Sequence, residues 1–236
     1  MAASTPRQCL VTGANRGLGL EFCVQLLISG ANVVATTRST GRATKLNSLV
    51  AKYPGRLHVL PLDVSDAKSV AELVRELPLV AEGPFDLLIN NAGVLHSGER
   101  FGHVTAANLD DSLRTNASGP FLLSQSIAES LADGAKIANI SSQLGSIENT
   151  TAFYTPTYAI SKAAQNMATR LLANALRERG IVVLALHPGW VQTEMGGPDA
   201  QIEPRVAVEG LLRVIDDAGL DDSGRFFDYT GRPMPW

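Results

Sequence analysis

The sequence predicts an α/β fold in which helices flank a doubly wound parallel sheet of about seven strands. Short, nearly continuous apolar runs end in Gly, Asn, Asp or Pro, as expected for strands that are buried on both faces. Between these runs lie helix-length stretches with apolar residues three and four positions apart. No linker, repeat or low-complexity segment divides the chain, so we expect a single domain over residues 1–236.

Strands and helices alternate along the chain. The predicted strands are QCLVTGA, NVVATTR, LHVLPLD, FDLLINNAG, AKIANIS and IVVLALHPG. The predicted helices between them are GLEFCVQLLISG, ATKLNSLVAKY, SVAELVREL, LDDSLRTNASGPFLLSQSIAESL and TYAISKAAQNMATRLLANALRERG, several of which close with the Gly that is typical of helix ends. A late helix, VAVEGLLRVIDD, and a last strand, GRFFDY, complete the sheet.

Composition excludes several classes of protein. Lys and Arg number 20 against 23 Asp and Glu, and no stretch concentrates the basic residues, so we expect no nucleic-acid partner. The first residues lead into a strand without a long apolar run, which predicts a cytoplasmic protein with no membrane segment. Cys9 and Cys23 lie in apolar periodic segments, which indicates buried free thiols. The four histidines lack metal-ligand spacing, so no metal is expected.

The end of the first strand, TGANRGLG, has the features of a phosphate-binding turn. Ligands of doubly wound sheets gather at the carboxyl ends of the strands. Gly13, Gly17 and Gly19 fall where this strand turns into a helix, so that bare backbone can approach a pyrophosphate near the helix N-terminus. The spacing GxxxGxG differs from the commoner GxGxxG, and a purely structural role for the glycines is the alternative.

The next strand ends add groups that suit a nucleotide. The third strand ends in LDVSD, where Asp63 could accept a hydrogen bond from an adenine amino group, while Ser65 or Asp66 fits helix capping better. The fourth ends in NNAG, whose small residues leave room for a flat adenosine, although an ordinary turn is the alternative. The fifth ends in NISSQLG with Ser141 and Ser142, and the sixth ends in the rigid turn HPGWVQT.

The stretch TAFYTPTYAISKAA contains two tyrosines, of which one has a lysine one helical turn away. Pro156 suits the first turn of a helix, which leaves Tyr154 in the preceding loop. Tyr158 and Lys162 then share a helical face, about 6 Å apart along the axis. The ammonium is expected to lower the pKa of the phenol from ~10 and make Tyr158 an acid/base group. A packed aromatic beside an extended lysine is the alternative.

The end of the second strand, NVVATTRST, indicates which dinucleotide binds. A chain selective for NAD usually has an acidic residue there, ~20 residues past the glycine turn, to bind the ribose hydroxyls. This chain has Thr37 followed by Arg38, and Arg16 lies inside the glycine turn. Both arginines can bind a 2′-phosphate through charge-assisted hydrogen bonds, so NADP(H) is the predicted cofactor. Solvated surface arginines are the alternative.

In this order, TGxxxGxG, NNAG, SxxG, YxxxK and the PG turn resemble the short-chain dehydrogenase/reductase family over essentially the whole chain. HPGWVQTEMGGPDA and GRFFDYTGRPMPW are similar to its C-factor-like, Sniffer-type carbonyl reductase branch. The resemblance implies a Rossmann-type fold, an NADP-dependent oxidoreductase and reversible hydride transfer between a nicotinamide cofactor and a carbonyl/alcohol pair. The alternative is a C-factor-like signalling or nucleotide-sensing protein with little turnover.

The resemblance also implies roles for individual residues. Ser142 matches the catalytic serine because SxxG reads SQLG from it, Tyr158 matches the acid/base, Lys162 its partner, and Asn116 the residue that holds a proton-relay water. His187 matches no catalytic position. Motifs and resemblance together place the cofactor on Gly13, Asn15, Arg16, Gly17, Leu18, Gly19, Thr37, Arg38, Asp63, Val64, Asn91, Ala92, Gly93, Tyr158, Lys162, Pro188, Gly189, Val191 and Thr193.

The resemblance implies a small-molecule carbonyl substrate without identifying it. The short segment EMGGPDAQIEPR leaves little room for a long lid, which predicts a pocket open to several carbonyl compounds. Leu95, Phe153, Tyr154 and Trp190 are candidate pocket walls, with packing as the alternative for each. The stereochemistry and the oligomeric state are not determined by these residues, and a homo-oligomer stays open.

Overall fold

Seven parallel strands form one sheet in the computed structural model, which describes residues 6–236. The strand order is β3-β2-β1-β4-β5-β6-β7, and every neighbouring pair is parallel. The strands are β1 (Gln8–Val11), β2 (Asn32–Thr37), β3 (Leu57–Pro61), β4 (Phe85–Asn90), β5 (Leu131–Ile140), β6 (Val182–His187) and β7 (Phe226–Asp228). Each contains residues of one predicted run, so the predicted fold class is confirmed.

Helices cover both faces of the sheet. They are α1 (Gly17–Ile28), α2 (Thr44–Lys52), α3 (Ala67–Val80), α4 (Ala106–Leu113), α5 (Gly119–Ser126), α6 (Pro156–Ala175) and α7 (Pro204–Asp217). Successive strand residues point to opposite faces, so Cys9 packs with α1, α2 and α7 while Leu10 packs with α3, α5 and α6. None of the helices within 6–236 combines the length and apolarity that a membrane span requires.

The long helix predicted from LDDSLRTNASGPFLLSQSIAESL is interrupted. A π-helical turn, Arg114–Ser118, separates α4 from α5, and a short 3-10 turn follows α5. Pro120 has no N–H to donate to the carbonyl four residues earlier, so the regular helical ladder cannot pass it. A Cβ atom on Gly119 would lie 2.7 Å from the carbonyl oxygen of Val64, so the chain here fits closely against the end of the third strand. The turn leaves Asn116 completely buried.

The start of β5 differs from the sequence prediction, whereas the state of the two cysteines agrees with it. β5 begins four residues before the predicted AKIANIS run, because Leu131 pairs with Phe85 across an irregularity in the β4–β5 ladder. Cys9 and Cys23 are buried free thiols, as predicted. Burial raises the pKa of the Cys9 thiol to about 12 and also raises the pKa of Cys23, so both are unreactive at neutral pH.

Candidate active site

A cleft of about 820 Å³ opens at the carboxyl ends of the strands. The residues of the predicted cofactor set that line it are Gly13, Asn15, Arg16, Gly17, Leu18, Thr37, Arg38, Asp63, Val64, Asn91, Ala92, Gly93, Tyr158, Lys162, Pro188 and Thr193. Gly19, Gly189 and Val191 do not line it. The topology therefore gathers residues from six strand ends at one edge of the sheet.

The glycines of the first turn have different structural tasks. Gly13 and Gly17 have positive φ angles of 64° and 54°, a conformation that favours glycine. A Cβ on Gly13 would also lie 2.8 Å from the Cα of Ala92, so the turn approaches the fourth strand end closely. A Cβ on Gly19 would lie 2.3 Å from the carbonyl oxygen of Gly13. Gly19 thus packs α1 against the turn, and its contact with the cofactor stays a prediction.

The NNAG segment ties two strand ends together. The Asn91 side chain donates to the carbonyl oxygens of Thr12 at 2.9 Å and Gly13 at 3.2 Å. The Thr12 hydroxyl accepts hydrogen bonds from the backbone N–H groups of Asn91 and Ala92, both at 3.0 Å. These four bonds fix the glycine turn relative to β4, and the small Ala92 and Gly93 form the wall between them.

The turn after β6 shapes the opposite wall. Gly189 has a φ of 81°, and a Cβ there would lie 2.3 Å from the Cδ1 atom of Ile202. Val191 is buried and forms a β-bridge with Ile202. Gly189 and Val191 therefore hold the loop in place from behind, and their contact with the cofactor stays a prediction. Pro188 and Thr193 are the residues of this turn that face it.

Ser141 lines the cleft and Ser142 does not, but the side chains of the two serines have different partners. The Ser142 side chain lies near the phenol of Tyr158 and acts to lower its pKa. Ser142 also accepts from the backbone N–H of Leu144 at 3.1 Å, which fixes its rotamer. Ser141 donates instead to the side-chain oxygen of Asn166 at 2.6 Å, within the core. Helix α6 begins at Pro156, so Tyr158 lies in its first turn as the sequence predicts.

Lys162 is buried and bound to carbonyl oxygens. Its Nζ atom donates to the main-chain oxygen of Ile140 at 2.7 Å and to Oε1 of Gln165 at 2.9 Å, and lies 5.5 Å from the centre of the Tyr158 ring. Burial lowers the pKa of Lys162 to about 7. Burial also raises the pKa of Tyr158 to about 12, although the nearby Ser142 side chain opposes this rise. The predicted lowering of the phenol pKa by Lys162 is therefore wrong here, since desolvation dominates.

Asn116 joins two elements of the site from behind the cleft. Its side-chain N–H groups donate to the carbonyl oxygen of Val94 and to the hydroxyl of Ser161, both at 2.9 Å. Its side-chain oxygen accepts from the backbone N–H of Val94 at 2.8 Å. Both donors of the amide are used, so the side chain connects the loop after β4 to helix α6. The water-holding role that the resemblance implies for Asn116 stays a prediction.

The sequence predicts that Arg16 and Arg38 bind a 2′-phosphate together, but the structure arranges the basic residues at the cleft mouth differently. Arg38 lines the cleft beside Thr37, and Arg42, which the sequence analysis missed, joins it from the short turn after β2. Its position four residues after Arg38 is the sequence signal that could have revealed it. Arg16 lines the cleft too, but its guanidinium pairs with Glu194 at 2.5 Å across the mouth. Arg38 and Arg42 are thus better placed than Arg16 to receive a phosphate.

Asp63 lines the cleft with its carboxylate partly engaged. One oxygen accepts from the backbone N–H and the hydroxyl of Ser65, at 2.9 and 2.7 Å. Asp66 is the N-cap of α3 and accepts from the backbone N–H of Lys68 at 3.0 Å, as the capping interpretation predicts. The carboxylate of Asp63 keeps one oxygen without a hydrogen bond inside the protein, available to a ligand amino group.

The start of α6 depends on a residue that the sequence analysis missed. Glu99, in the loop after β4, accepts from the backbone N–H of Thr157 at 3.2 Å and from its hydroxyl at 2.9 Å. The preceding Thr155 has φ 39° and ψ 57°, a left-handed conformation rare for a β-branched residue, and its hydroxyl oxygen is buried without a partner. Glu99 lies 58 residues before Thr157 in the sequence, and Thr155 lies two residues before it. No motif marks either residue.

The residues predicted to form the walls of the substrate pocket lie in different parts of the structure. Phe153 and Tyr154 line a second cleft of about 490 Å³, on the loop between Ser142 and α6. Among the residues that the structure describes, none that lines this second cleft is charged. Leu95 lines the larger cleft instead, and Trp190 lines neither, because its indole N–H donates to a backbone carbonyl in its own loop at 2.7 Å.

Comparison with known proteins decides the family. Residues 7–203 match the family model described as short chain dehydrogenase. The chain belongs to this family. Among curated relatives of this short-chain dehydrogenase, the C-signal protein of Myxococcus xanthus is 44% identical over 159 residues, which cover 66% of this chain and 96% of that protein. The match confirms the family that the motifs indicated.

Solved structures place the chain within the carbonyl reductase branch of the short-chain dehydrogenases. The NADPH-bound carbonyl reductase from chicken fatty liver superposes with a TM-score of 0.90 at 37% identity, covering 98% of this chain and 99% of that one. The carbonyl reductase Sniffer of D. melanogaster superposes with a TM-score of 0.91 at 31% identity, covering 98% and 100%. The predicted branch is therefore also confirmed.

The cleft of this short-chain dehydrogenase fits a dinucleotide. The positive-φ glycines Gly13 and Gly17 form a turn whose bare backbone faces the cleft at the start of α1. Ala92 and Gly93 keep the neighbouring wall free of large side chains. At the end of β2, no carboxylate lines the cleft, and Arg38 supplies positive charge. This donor set suits a phosphorylated ribose better than one with two free hydroxyls.

Proposed function

We propose that the protein is an NADPH-dependent carbonyl reductase that converts a ketone, aldehyde or quinone-type carbonyl to an alcohol. One observation carries the proposal: Tyr158 and the buried Lys162, one helical turn apart, line a cleft that fits a dinucleotide, and Ser142 lies near the phenol. The structural similarity to an NADPH-bound carbonyl reductase supports it.

The cofactor would be held by groups from four strand ends and from helix α6. The turn at Gly13 and Gly17 would face the pyrophosphate, and Arg38 with Arg42 would bind the 2′-phosphate. Asp63 would accept from the adenine amino group. From the family resemblance, Lys162 would bind the nicotinamide ribose, and Thr193 with the backbone after Pro188 would orient the carboxamide. When bound, the reduced nicotinamide supplies the hydride.

The residues of the chain polarise the carbonyl and supply the proton. The phenol of Tyr158 is protonated at neutral pH because burial raises its pKa to about 12. Tyr158 and Ser142 donate hydrogen bonds to the carbonyl oxygen and stabilise the negative charge that develops there. As the carbonyl carbon becomes saturated, the O–H bond of Tyr158 breaks and its proton passes to that oxygen. The phenolate left behind is stabilised by Ser142 and by the nearby positive charge of Lys162.

A second candidate is a nucleotide-sensing or signalling role without significant turnover. The 44% identity to the C-signal protein favours it. A sensor needs the glycine turn, but it has no use for a buried tyrosine that lies near a serine and beside a buried lysine. The geometry of Ser142, Tyr158 and Lys162 therefore favours the reductase.

The test is to incubate the purified protein with NADPH and a panel of quinones, isatins, aldehydes and ketoesters, and to follow the loss of nicotinamide absorbance. Cofactor binding is measured in parallel by fluorescence titration. Turnover of at least one carbonyl class, with the alcohol identified as product, is the expected result. Tight binding of NADPH with no turnover across the panel would instead support the sensor.

A further inference from the structure

We propose that Gln165 is a positioning residue that keeps the side chain of Lys162 charged and fixed in direction. The inference rests on the proposed function, because it concerns the lysine of the reductase site. Gln165 lies on α6 three residues after Lys162, is 1% exposed, and belongs to none of the motifs that mark the site.

The hydrogen bonds of Gln165 are unequal. Its Oε1 atom accepts from the Nζ atom of Lys162 at 2.9 Å, whereas its Nε2 atom is buried and has no partner among residues 6–236. The reverse orientation of the amide would direct its N–H groups at the ammonium, which can only donate, so this orientation is required. A buried donor without a partner is unfavourable, and an apolar side chain of similar size would avoid it. The bond to Lys162 offsets this loss and explains why a polar group lies here.

No anionic group accompanies the buried ammonium. Asp111, on the packed helix α4, pairs with His96, and Glu99 of the neighbouring loop binds Thr157. The titratable side chain that contacts the ammonium is the phenol of Tyr158, on the same helix. Within the described residues, the carbonyl oxygens of Ile140 and Gln165 are therefore the acceptors that hold the charge.

The electrostatic consequence follows from this pair of acceptors. Burial already lowers the pKa of Lys162 to about 7, so the amine and ammonium forms lie near balance at neutral pH. A hydrogen bond from a charged donor favours the charged form. Removal of the Gln165 acceptor must lower the pKa of Lys162 further, and a carboxylate at the same position must raise it.

Direct titration of the lysine is the first test. The chain has five lysines, so ¹⁵N-lysine labelling gives few side-chain signals, and Lys162→Arg identifies the one of interest. Gln165→Met should move the titration midpoint of Lys162 about one pH unit lower, and Gln165→Glu should move it at least about one unit higher. Gln125→Met, on an exposed position of α5, is the matched control and should leave it unchanged.

The pH dependence of kcat is the second test. If turnover requires the charged lysine, kcat falls as the pH rises through its pKa, and the fall should begin at lower pH in Gln165→Met. This variant should lose roughly tenfold at pH 8 and recover near pH 6, with little change in KM. A loss by packing alone would be the same at both pH values.

The two tests separate this inference from the proposed function. The lysine titration needs no turnover, so a protein that reduces no carbonyl defeats the reductase while leaving the role of Gln165 measurable. An unmoved Lys162 midpoint in folded Gln165→Met overturns the inference. If that variant does not fold, Gln165→Glu, which keeps the shape of the side chain, decides by the same titration: a midpoint that fails to rise overturns it.

Discussion

The ammonium of Lys162 lies 5.5 Å from the centre of the Tyr158 ring, while its hydrogen bonds go to carbonyl oxygens. The phenol lies near Ser142 instead, and burial raises its pKa to about 12, which keeps it protonated at neutral pH. A protonated phenol suits the proton-donor role that we propose for Tyr158 in the reduction of a carbonyl. The lysine is near enough to stabilise the phenolate that forms when the proton leaves, without having removed that proton beforehand.

Replacement of the two tyrosines should separate chemistry from substrate contact. Tyr158→Phe removes the proton donor and should abolish carbonyl reduction while leaving NADPH binding nearly intact. Tyr154→Phe changes a 66% exposed side chain at the second cleft and should mainly alter KM. Steady-state kinetics and fluorescence titration of NADPH measure both effects. If Tyr158→Phe kept more than about a few per cent of kcat and Tyr154→Phe did not, the assignment would be wrong.

The neighbouring serines should differ in what they lose. Ser142→Ala removes a donor to the developing oxyanion and should lower kcat by roughly 10² or more. Ser141→Ala leaves the buried oxygen of Asn166 without its donor, so it should lower the free energy of unfolding by about 1–3 kcal/mol with a milder effect on kcat. Kinetics and urea denaturation of both variants are the measurements. Equal losses of kcat in two equally stable variants would contradict a specific role for Ser142.

The cofactor preference should follow the basic residues at the end of β2. The wild type should prefer NADPH over NADH by at least about tenfold in kcat/KM, because charge-assisted bonds to the 2′-phosphate favour it. Thr37→Asp should shift the preference toward NADH, and Arg38→Ala should weaken NADPH. Arg16→Ala should have a smaller effect, since Arg16 is paired with Glu194. A wild type that used both cofactors equally would refute the phosphate site but not the Tyr158 chemistry.

Acid should destabilise the protein through His187. Burial lowers its pKa from 6.5 to about 4, against a weaker opposing effect of Asp228. The unfolded chain therefore binds a proton that the folded chain does not between pH 6.5 and 4, so stability falls as the pH falls through this window, by about 3 kcal/mol in total. His187→Gln should flatten this dependence in urea denaturation at pH 7.5 and 5. The exposed His103→Gln is the control, and identical slopes for the two variants would exclude His187 as the cause.

Strand ends were predictable because their signals are local. Apolar runs that stop at Gly, Asn or Pro give seven strands, and parallel strands bring their carboxyl ends to one edge whatever the details of the helices. The start of α6 was predictable for the same reason, since Pro156 acts on its own neighbours. The positions of the motif residues that line the cleft follow from the alignment of the strand ends and from the start of α6.

The features that escaped prediction depend on contacts between distant segments. The π-helical turn of Asn116 adjoins Gly119, which packs against the carbonyl of Val64. The pKa of the Tyr158 phenol depends on its burial and on which acceptors bind Lys162. The spacing of Tyr158 and Lys162 in the sequence reveals neither the burial nor the acceptors. A sequence pattern can specify which side chains share a helical face, but not which partners the rest of the chain brings to them.

Thr155 adopts a left-handed backbone conformation that is rare for a β-branched residue. Its left-handed backbone and unpaired buried hydroxyl lie directly before the helix turn that carries Tyr158. A residue held in such a conformation typically costs about 1–3 kcal/mol. Laboratory selection for heat tolerance alone should therefore enrich glycine or asparagine at this position, whereas selection that also demands turnover should retain threonine if the strained geometry directs the phenol. Sequencing position 155 in the survivors of the two selections would show whether turnover requires the strained conformation of threonine.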